Sequence, residues 1–192
     1  RPWGVVDTAS EQIQVLSTYN PAPAIFSALT PNGSHLVYDT VSFDMVLADA
    51  ASGAPIPSEL DSMSASVNMA HPQFSPDGNL LAYAANVQGG YPVEFSSSDL
   101  EILDAHVGSG NHFSNRRQIM AGNGQELAFP TFTPDSQWVI YQRGNYSRAS
   151  FGAAAPFQTG SNDLVMVPVD GSATEVRLGK ANGDGVLGAK DA

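Results

Sequence analysis

The sequence predicts an all-β fold assembled from repeated four-stranded antiparallel sheets. Three observations carry this. A strand–turn–strand unit occurs three times, as AIFSALTPNGSHLVY (24–38), HPQFSPDGNLLAY (71–83) and FPTFTPDSQWVIYQ (129–142). A second strand-and-turn unit follows each copy, as SFDMVLADAASG (42–53), SDLEILDAHVGSG (98–110) and NDLVMVPVDGS (162–172). The turn prolines Pro31, Pro76 and Pro134 lie 45 and then 58 residues apart. The first spacing is one propeller blade of about 40–45 residues, and the second is one blade plus an insertion.

Each element has a local reason. In the central copy Phe74 is the last apolar residue before Ser75–Gly78. Pro76 presets φ for the first turn position, Asp77 can accept backbone N–H groups across the turn, and Gly78 tolerates positive φ. The first copy uses Pro31, Asn32 and Gly33, and the third uses Pro134, Asp135 and Ser136, which are turn-compatible exchanges. Leu80–Tyr83 is a short apolar run bounded by turn signals, the mark of a strand covered on both faces. Further short strands are expected around Ile56–Leu60, Arg117–Met120 and Glu175–Leu178, and a strand pair in PWGVVDTASEQIQVLS (2–17). The expected division is 1–20 for the last two strands of a preceding blade, then blades at 21–66, 67–122 and 123–179. Residues 180–192 form a linker to a further blade or a calcium-type loop. This makes about three and a half blades of a larger ring, with terminal faces that need covering. A β-sandwich of repeated hairpins is the alternative.

The FSPDG-x-x-LAY pattern, followed by a D-L-x-hydrophobic-hydrophobic-D strand and a glycine turn, resembles the TolB-like, WD-like β-propeller repeat. The likeness runs from Pro2 to about Leu178 and is complete at Ser75–Gly78. It implies a ring of four-stranded blades. It also implies a periplasmic or cell-surface protein, because such propellers are commonly exported.

Composition narrows the partners. Nineteen acidic against eight basic residues give a formal charge of −11. This argues against nucleic acid, whose phosphates need clustered Lys and Arg, and against anionic membranes. There is no cysteine, so disulfides and thiolate metal sites are excluded. No apolar run has transmembrane length.

The connections point to a binding face. The Pro-Asp-Gly turns are tight, whereas Asn86–Ser98 and Arg143–Ser161 are long and, with Asp61–Ala70 and Ala121–Ala128, leave from the opposite face. Long loops on a rigid scaffold are where binding residues gather. The candidate binding residues are Tyr91, Phe95, Arg143, Tyr146, Arg148, Phe151 and Phe157, since aromatics beside Arg anchor interfaces. His71, just before the first strand of its blade, joins them; a metal ligand or catalytic base is one reading of it, and a structural hydrogen-bonded histidine is the leading one. His106, His112 and Asp104 lack tight metal spacing. No nucleophile elbow and no H-E-x-x-H occur. The leading expectation is therefore a non-enzymatic scaffold that binds a protein, or the remaining blades of its own ring. One alternative is the substrate-gating propeller of a prolyl-oligopeptidase-like peptidase whose catalytic domain lies elsewhere. Another is a propeller-borne metal-dependent lyase or hydrolase.

KANGDGVLGAKD (180–191) resembles a calcium loop of the EF-hand or dockerin kind. Asn182 and Asp184 take the third and fifth positions, Val186 offers a carbonyl and Asp191 takes the twelfth. Lys180 stands at the first, normally acidic, position, and Asp replaces the bidentate Glu. A calcium site here predicts a calcium-dependent rise in Tm that Asp184→Ala abolishes. A wild-type protein whose Tm ignores calcium removes the site.

Overall fold

The computed structural model describes residues 4–7, 12–15, 24–93, 95–108, 110–144 and 162–181. An N-terminal pair consists of β1 (Gly4–Asp7) and β2 (Gln12–Val15). The first blade holds β3 (Ala24–Leu29), β4 (His35–Thr40) and β5 (Met45–Asp49). The second holds β6 (Ala70–Phe74), β7 (Leu80–Gln88), β8 (Ser97–His106) and β9 (His112–Met120). The third holds β10 (Glu126–Phe132), β11 (Trp138–Gly144), β12 (Asn162–Pro168) and β13 (Val176–Ala181). Within each sheet the strands pair antiparallel in sequence order. The first strands β3, β6 and β10 contact one another in turn, so they form the inner wall.

The three proline turns are built alike. The hydroxyls of Thr30, Ser75 and Thr133 donate to the side-chain oxygens of Asn32, Asp77 and Asp135 at 2.8, 2.6 and 2.6 Å. Those oxygens also accept the N–H two residues on, at 3.1 Å in each turn. Asp77 and Asp135 are consequently held below the usual carboxylate range, chiefly by the Ser75 and Thr133 hydroxyls. The last turn residue is left-handed in all three, with φ of 70° at Gly33, 77° at Gly78 and 59° at Ser136. Successive turns touch: a Cβ at Gly78 would lie 3.3 Å from Pro31 Cδ.

The first blade departs from expectation. In place of a fourth strand at Ile56–Leu60 there is a single bridge, Ala48 to Pro55, and then helix α1 (Glu59–Ser64). The reason is local. Pro55 and Pro57 flank Ile56 and lack N–H donors, so a ladder cannot propagate. The Asp61 carboxylate accepts the Ser58 N–H at 3.0 Å and starts a helix instead. Leu60 on α1 is fully buried against the same apolar cluster as Met45, Leu47, Met69 and Phe113. Glu59 accepts the Phe113 N–H at 2.9 Å, which with the His112 contact lowers its pKa to about 2. The helix thus takes the place of a strand and fastens the first blade to the outer strand of the second.

Blades pack through two apolar seams. Val37, Met45 and Leu47 of the first blade meet Leu81, Tyr83, Leu103 and Phe113 of the second. Ala82, Leu100 and Ile102 of the second meet Leu127, Phe132, Val139, Tyr141 and Val165 of the third. Each fully buried large side chain is worth roughly 1.5–3 kcal/mol, so these seams dominate stability. The second seam is pinned by Ser98, whose hydroxyl donates to the Leu127 carbonyl at 2.8 Å and accepts the Leu127 N–H at 2.9 Å. There is no room beside it: a Cβ at Gly122 would lie 1.9 Å from the Ser98 carbonyl oxygen.

These contacts rank three glycine substitutions. Gly33→Ala meets only the left-handed φ, since nothing lies within 4 Å of its Cβ. It should cost about 1 kcal/mol. Gly78→Ala adds the Pro31 contact and should cost more, and Gly122→Ala should cost most because backbone must move. Denaturant unfolding of the three variants checks the order. Equal losses would contradict the turn-to-turn and loop-to-strand packing.

Candidate functional site

Each inner strand carries the same one-residue bulge. The register slips between Ala24 and Ser27, between Ala70 and Gln73, and between Ala128 and Thr131. A bulge bends its strand and takes a backbone N–H out of the ladder. The residue four before each turn hydroxyl sits within this bulge: Phe26, His71 and Phe129. His71 and Phe129 are driven to φ of 55° and 53°. Side chains with a Cβ hold that region only where surrounding contacts over-determine it.

The three rings meet at the long-loop end of the inner wall. His71 stacks on Phe129 with centroids 4.1 Å apart and planes at 14°. Phe26 meets His71 edge-on at 4.5 Å and Phe129 at 5.6 Å. Phe129 remains 45% exposed, whereas His71 is 3% exposed.

The freed N–H groups are satisfied by two side chains. Asp39, fully buried on β4, accepts the Phe26 N–H through Oδ1 at 2.7 Å and the His71 N–H through Oδ2 at 2.9 Å. His71 Nδ1 accepts the Phe129 N–H at 3.2 Å, and its Nε2 lies 2.7 Å from the Pro92 carbonyl oxygen. A carbonyl oxygen only accepts, so Nε2 carries the proton and the imidazole is neutral. Burial pushes the His71 pKa down to about 4, against the opposing Pro92 bond. Burial pushes Asp39 up to about 6, opposed by the N–H groups it accepts.

The long connection of the second blade is anchored here. Gly89 and Gly90 turn with φ of 68° and 72°. Ser96 closes the loop by donating its N–H and hydroxyl to the Gln88 carbonyl at 2.9 and 2.8 Å. Between these ends Pro92 is tied to His71, and Phe95 is buried among Ala70, Ala84, Val87 and Ala128. Tyr91, next to Pro92, is 42% exposed.

Several expected site residues are therefore reassigned. Phe95 is 2% exposed and anchors the loop instead of presenting a binding surface. Arg143 is used within its own blade: its Nε donates to Gln125 at 2.7 Å and it pairs with Glu175, which also accepts the Tyr141 hydroxyl. His71 takes the structural role. Tyr91 stays on the surface. Tyr146, Arg148, Phe151 and Phe157 lie outside the described residues, as do Asn182, Asp184, Val186 and Asp191 of the calcium-type loop. Asp104 bonds Asn115 and Arg117, and His112 bonds Glu59. Among the described residues no group of three His, Asp or Glu is placed to hold a metal. No helix among them is long and apolar enough to cross a membrane. Residue-by-residue reading missed Phe26, Phe129 and Asp39. The signal for the first two was present, because both align with His71 four places before the turn.

The two buried titrating groups act in opposite senses. His71 in the folded chain has a lower pKa than a free histidine, so the unfolded chain binds the extra proton and stability rises with pH between about 4 and 6.5. Asp39 has a higher pKa than a free aspartate, so the folded chain binds the extra proton and stability falls between about 3.8 and 6. Each effect is on the order of 3 kcal/mol, and the two largely cancel. Asp39→Asn should steepen the rise of stability with pH across this window relative to wild type, and His71→Asn should reverse it. Denaturant unfolding from pH 4 to 7 measures both slopes. Unchanged slopes would contradict the coupling.

The sequence matches no protein-family model and no curated protein. The fold is similar to solved structures at low identity. Tricorn protease aligns with a TM-score of 0.51 at 14% identity, over 87% of this chain and 15% of that one. The β-propeller domain of Myceliophteria thermophila Cps50 (Swd1) aligns at 0.44 and 11% identity, over 83% and 61%. Oligogalacturonate lyase from Vibrio parahaemolyticus aligns at 0.42 and 10% identity, over 96% and 62%. The chain spans less than two thirds of each of these proteins. Together with the repeated antiparallel sheets and their shared inner wall, the likeness to tricorn protease establishes that this chain has the fold of a β-propeller segment.

Proposed function

We propose that this propeller segment is a protein-interaction module that receives its partner on the long-loop face, at the mouth of the inner wall. One observation supports the reading above others. Tyr91 stands exposed on a loop whose two anchors, Pro92 and Phe95, are fixed to the bulged inner strands, on the face where the exposed Phe129 ring stacks on His71. Rigid, pre-ordered aromatic side chains bind at low entropic cost and are the residues that dominate interfaces. The fixed donors and acceptors around them are spent on backbone groups. The acidic charge of −11 fits a partner that is neither nucleic acid nor an anionic membrane. We further infer, from the resemblance to exported propellers, that the module works in the periplasm or at the cell surface.

The test places a photo-crosslinking amino acid at position 91 or, on the opposite face, at position 32. The expected outcome is a single protein adduct from position 91 and none from position 32. Tyr91→Ala should then weaken binding of that protein by about tenfold or more, with Tm unchanged. Equal labelling from both positions, or none from position 91, would remove the reading.

A further inference from the structure

An asparagine side-chain amide is vulnerable when glycine follows, because a residue without Cβ lets its backbone nitrogen swing toward the asparagine Cγ. The chain holds three such pairs: Asn32–Gly33, Asn123–Gly124 and Asn182–Gly183, the last outside the described residues. The first two are both exposed but differ in bonding. At Asn32 the attacking and the attacked groups are both engaged. The Gly33 N–H donates to the Thr30 carbonyl at 2.8 Å. Asn32 Oδ1 accepts the Thr30 hydroxyl at 2.8 Å, and the Ser34 N–H and hydroxyl at 3.1 and 2.8 Å. At the second pair, neither the Gly124 N–H nor the Asn123 amide has a hydrogen-bond partner among the described residues. Nothing lies within 4 Å of a Cβ built on Gly124. Asn123 and Gly124 are both left-handed, with φ of 52° and 83°. Their turn is closed by the Gln125 N–H donating to the Gly122 carbonyl at 3.0 Å.

The residues on either side of this loose tip are fixed. Gly122 donates its N–H to Asp99 at 2.9 Å and is wedged against the Ser98 carbonyl. The Gln125 carbonyl accepts the Ser98 N–H at 3.2 Å, and its side-chain oxygen accepts Arg143 Nε at 2.7 Å. Gly122 and Gln125 therefore fasten the connection to β8 and β11, beside the Ser98–Leu127 bonds that pin the second seam. A change of main-chain length between them has nowhere to go except into that fastening.

We propose that Asn123 is a self-modifying site, whose conversion to isoaspartate loosens the seam between the second and third blades, and that Asn32 is protected by its turn. The Gly124 nitrogen gives its proton to solvent and attacks Asn123 Cγ. A Cγ–N bond forms, the Cγ–Nδ2 bond breaks, and Nδ2 takes a proton and leaves as ammonia. Water then opens the five-membered imide. Its hydroxyl goes to the carbonyl carbon attacked, and its proton goes to the ring nitrogen. Opening at Cγ leaves aspartate. Opening at the backbone carbonyl leaves isoaspartate, whose main chain runs through Cβ and Cγ and is longer by one atom. The net reaction consumes water, releases ammonia and needs no other reactant.

Incubation of the purified chain in mildly alkaline buffer tests this, with peptide mass mapping of each Asn–Gly pair and enzymatic methylation to count isoaspartate. Freeing Gly33 and Asn32 breaks several hydrogen bonds, so Asn123 should react about tenfold faster than Asn32, or more. In urea-unfolded chain the two rates should converge. The isoaspartate-containing fraction should have a lower Tm than fresh protein. Asn123→Gly keeps the left-handed turn and removes the amide, so its Tm should survive incubation. Fresh Asn123→Asp, which carries the charge without the longer main chain, should melt close to wild type. Three results would each overturn the proposal. They are Asn32 reacting as fast as Asn123 in the folded chain, a rate difference that persists in urea, and isoaspartate at position 123 with an unchanged Tm.

Discussion

The inner wall depends on where three displaced backbone N–H groups go. Each bulge is needed to bend its strand, and each removes a donor from the ladder. A buried N–H without a partner costs on the order of 1–3 kcal/mol, which two or three times over is a large part of a domain's stability. Asp39 and His71 remove that cost with two side chains, and in doing so they couple blades. The carboxylate bridges the first and second inner strands, and the imidazole bridges the second and third. Sheets that apolar seams alone would hold, with little preference for register, are locked at one height by these bonds.

The two faces of the wheel follow from the same arrangement. On one face the proline turns are self-satisfied: hydroxyl, carboxylate or amide oxygen and backbone close on each other, and neighbouring turns touch. Little polar capacity is left over for a partner. On the other face the connections are long, and the second blade's loop is fixed by backbone and core contacts while its tip side chain is free. A loop fixed at its base with an exposed aromatic at its tip has already lost the entropy that binding would otherwise remove. That asymmetry is a property of connection length, and connection length is written in the chain.

Connection length and turn chemistry were accordingly the legible part. Pro76, Asp77 and Gly78 announce a hairpin through local geometry, and their spacing with Pro31 and Pro134 announces the repeat. Local signals also explain the failure at Ile56–Leu60. Pro55 and Pro57 on either side of Ile56, with the acidic Asp61 after them, override the repeat there. The site was less legible because its residues act through burial. Phe95 reads as a loop aromatic, and only the sheet behind it shows that it is an anchor. Arg143 reads as a free cation until Glu175, 32 residues away, is brought beside it. Asp39 sits in an apolar run, and nothing local says which N–H groups it will meet.

The identity of His71 can be argued from what its place requires. Phe26 and Phe129 fill the equivalent places with rings alone. At position 71 the side chain must stack on Phe129, accept an N–H at one edge and donate to the Pro92 carbonyl at the other. A phenyl ring does the first and neither of the others. An asparagine could accept and donate but has no ring to stack. A protonated imidazole would have two donors and could not accept the Phe129 N–H. Only a neutral imidazole with its proton on Nε2 meets all three demands, and burial between two aromatic rings keeps it neutral. The position that looked most like a metal ligand or a base in the sequence is thus explained by the joint it forms between two inner strands and the loop above them.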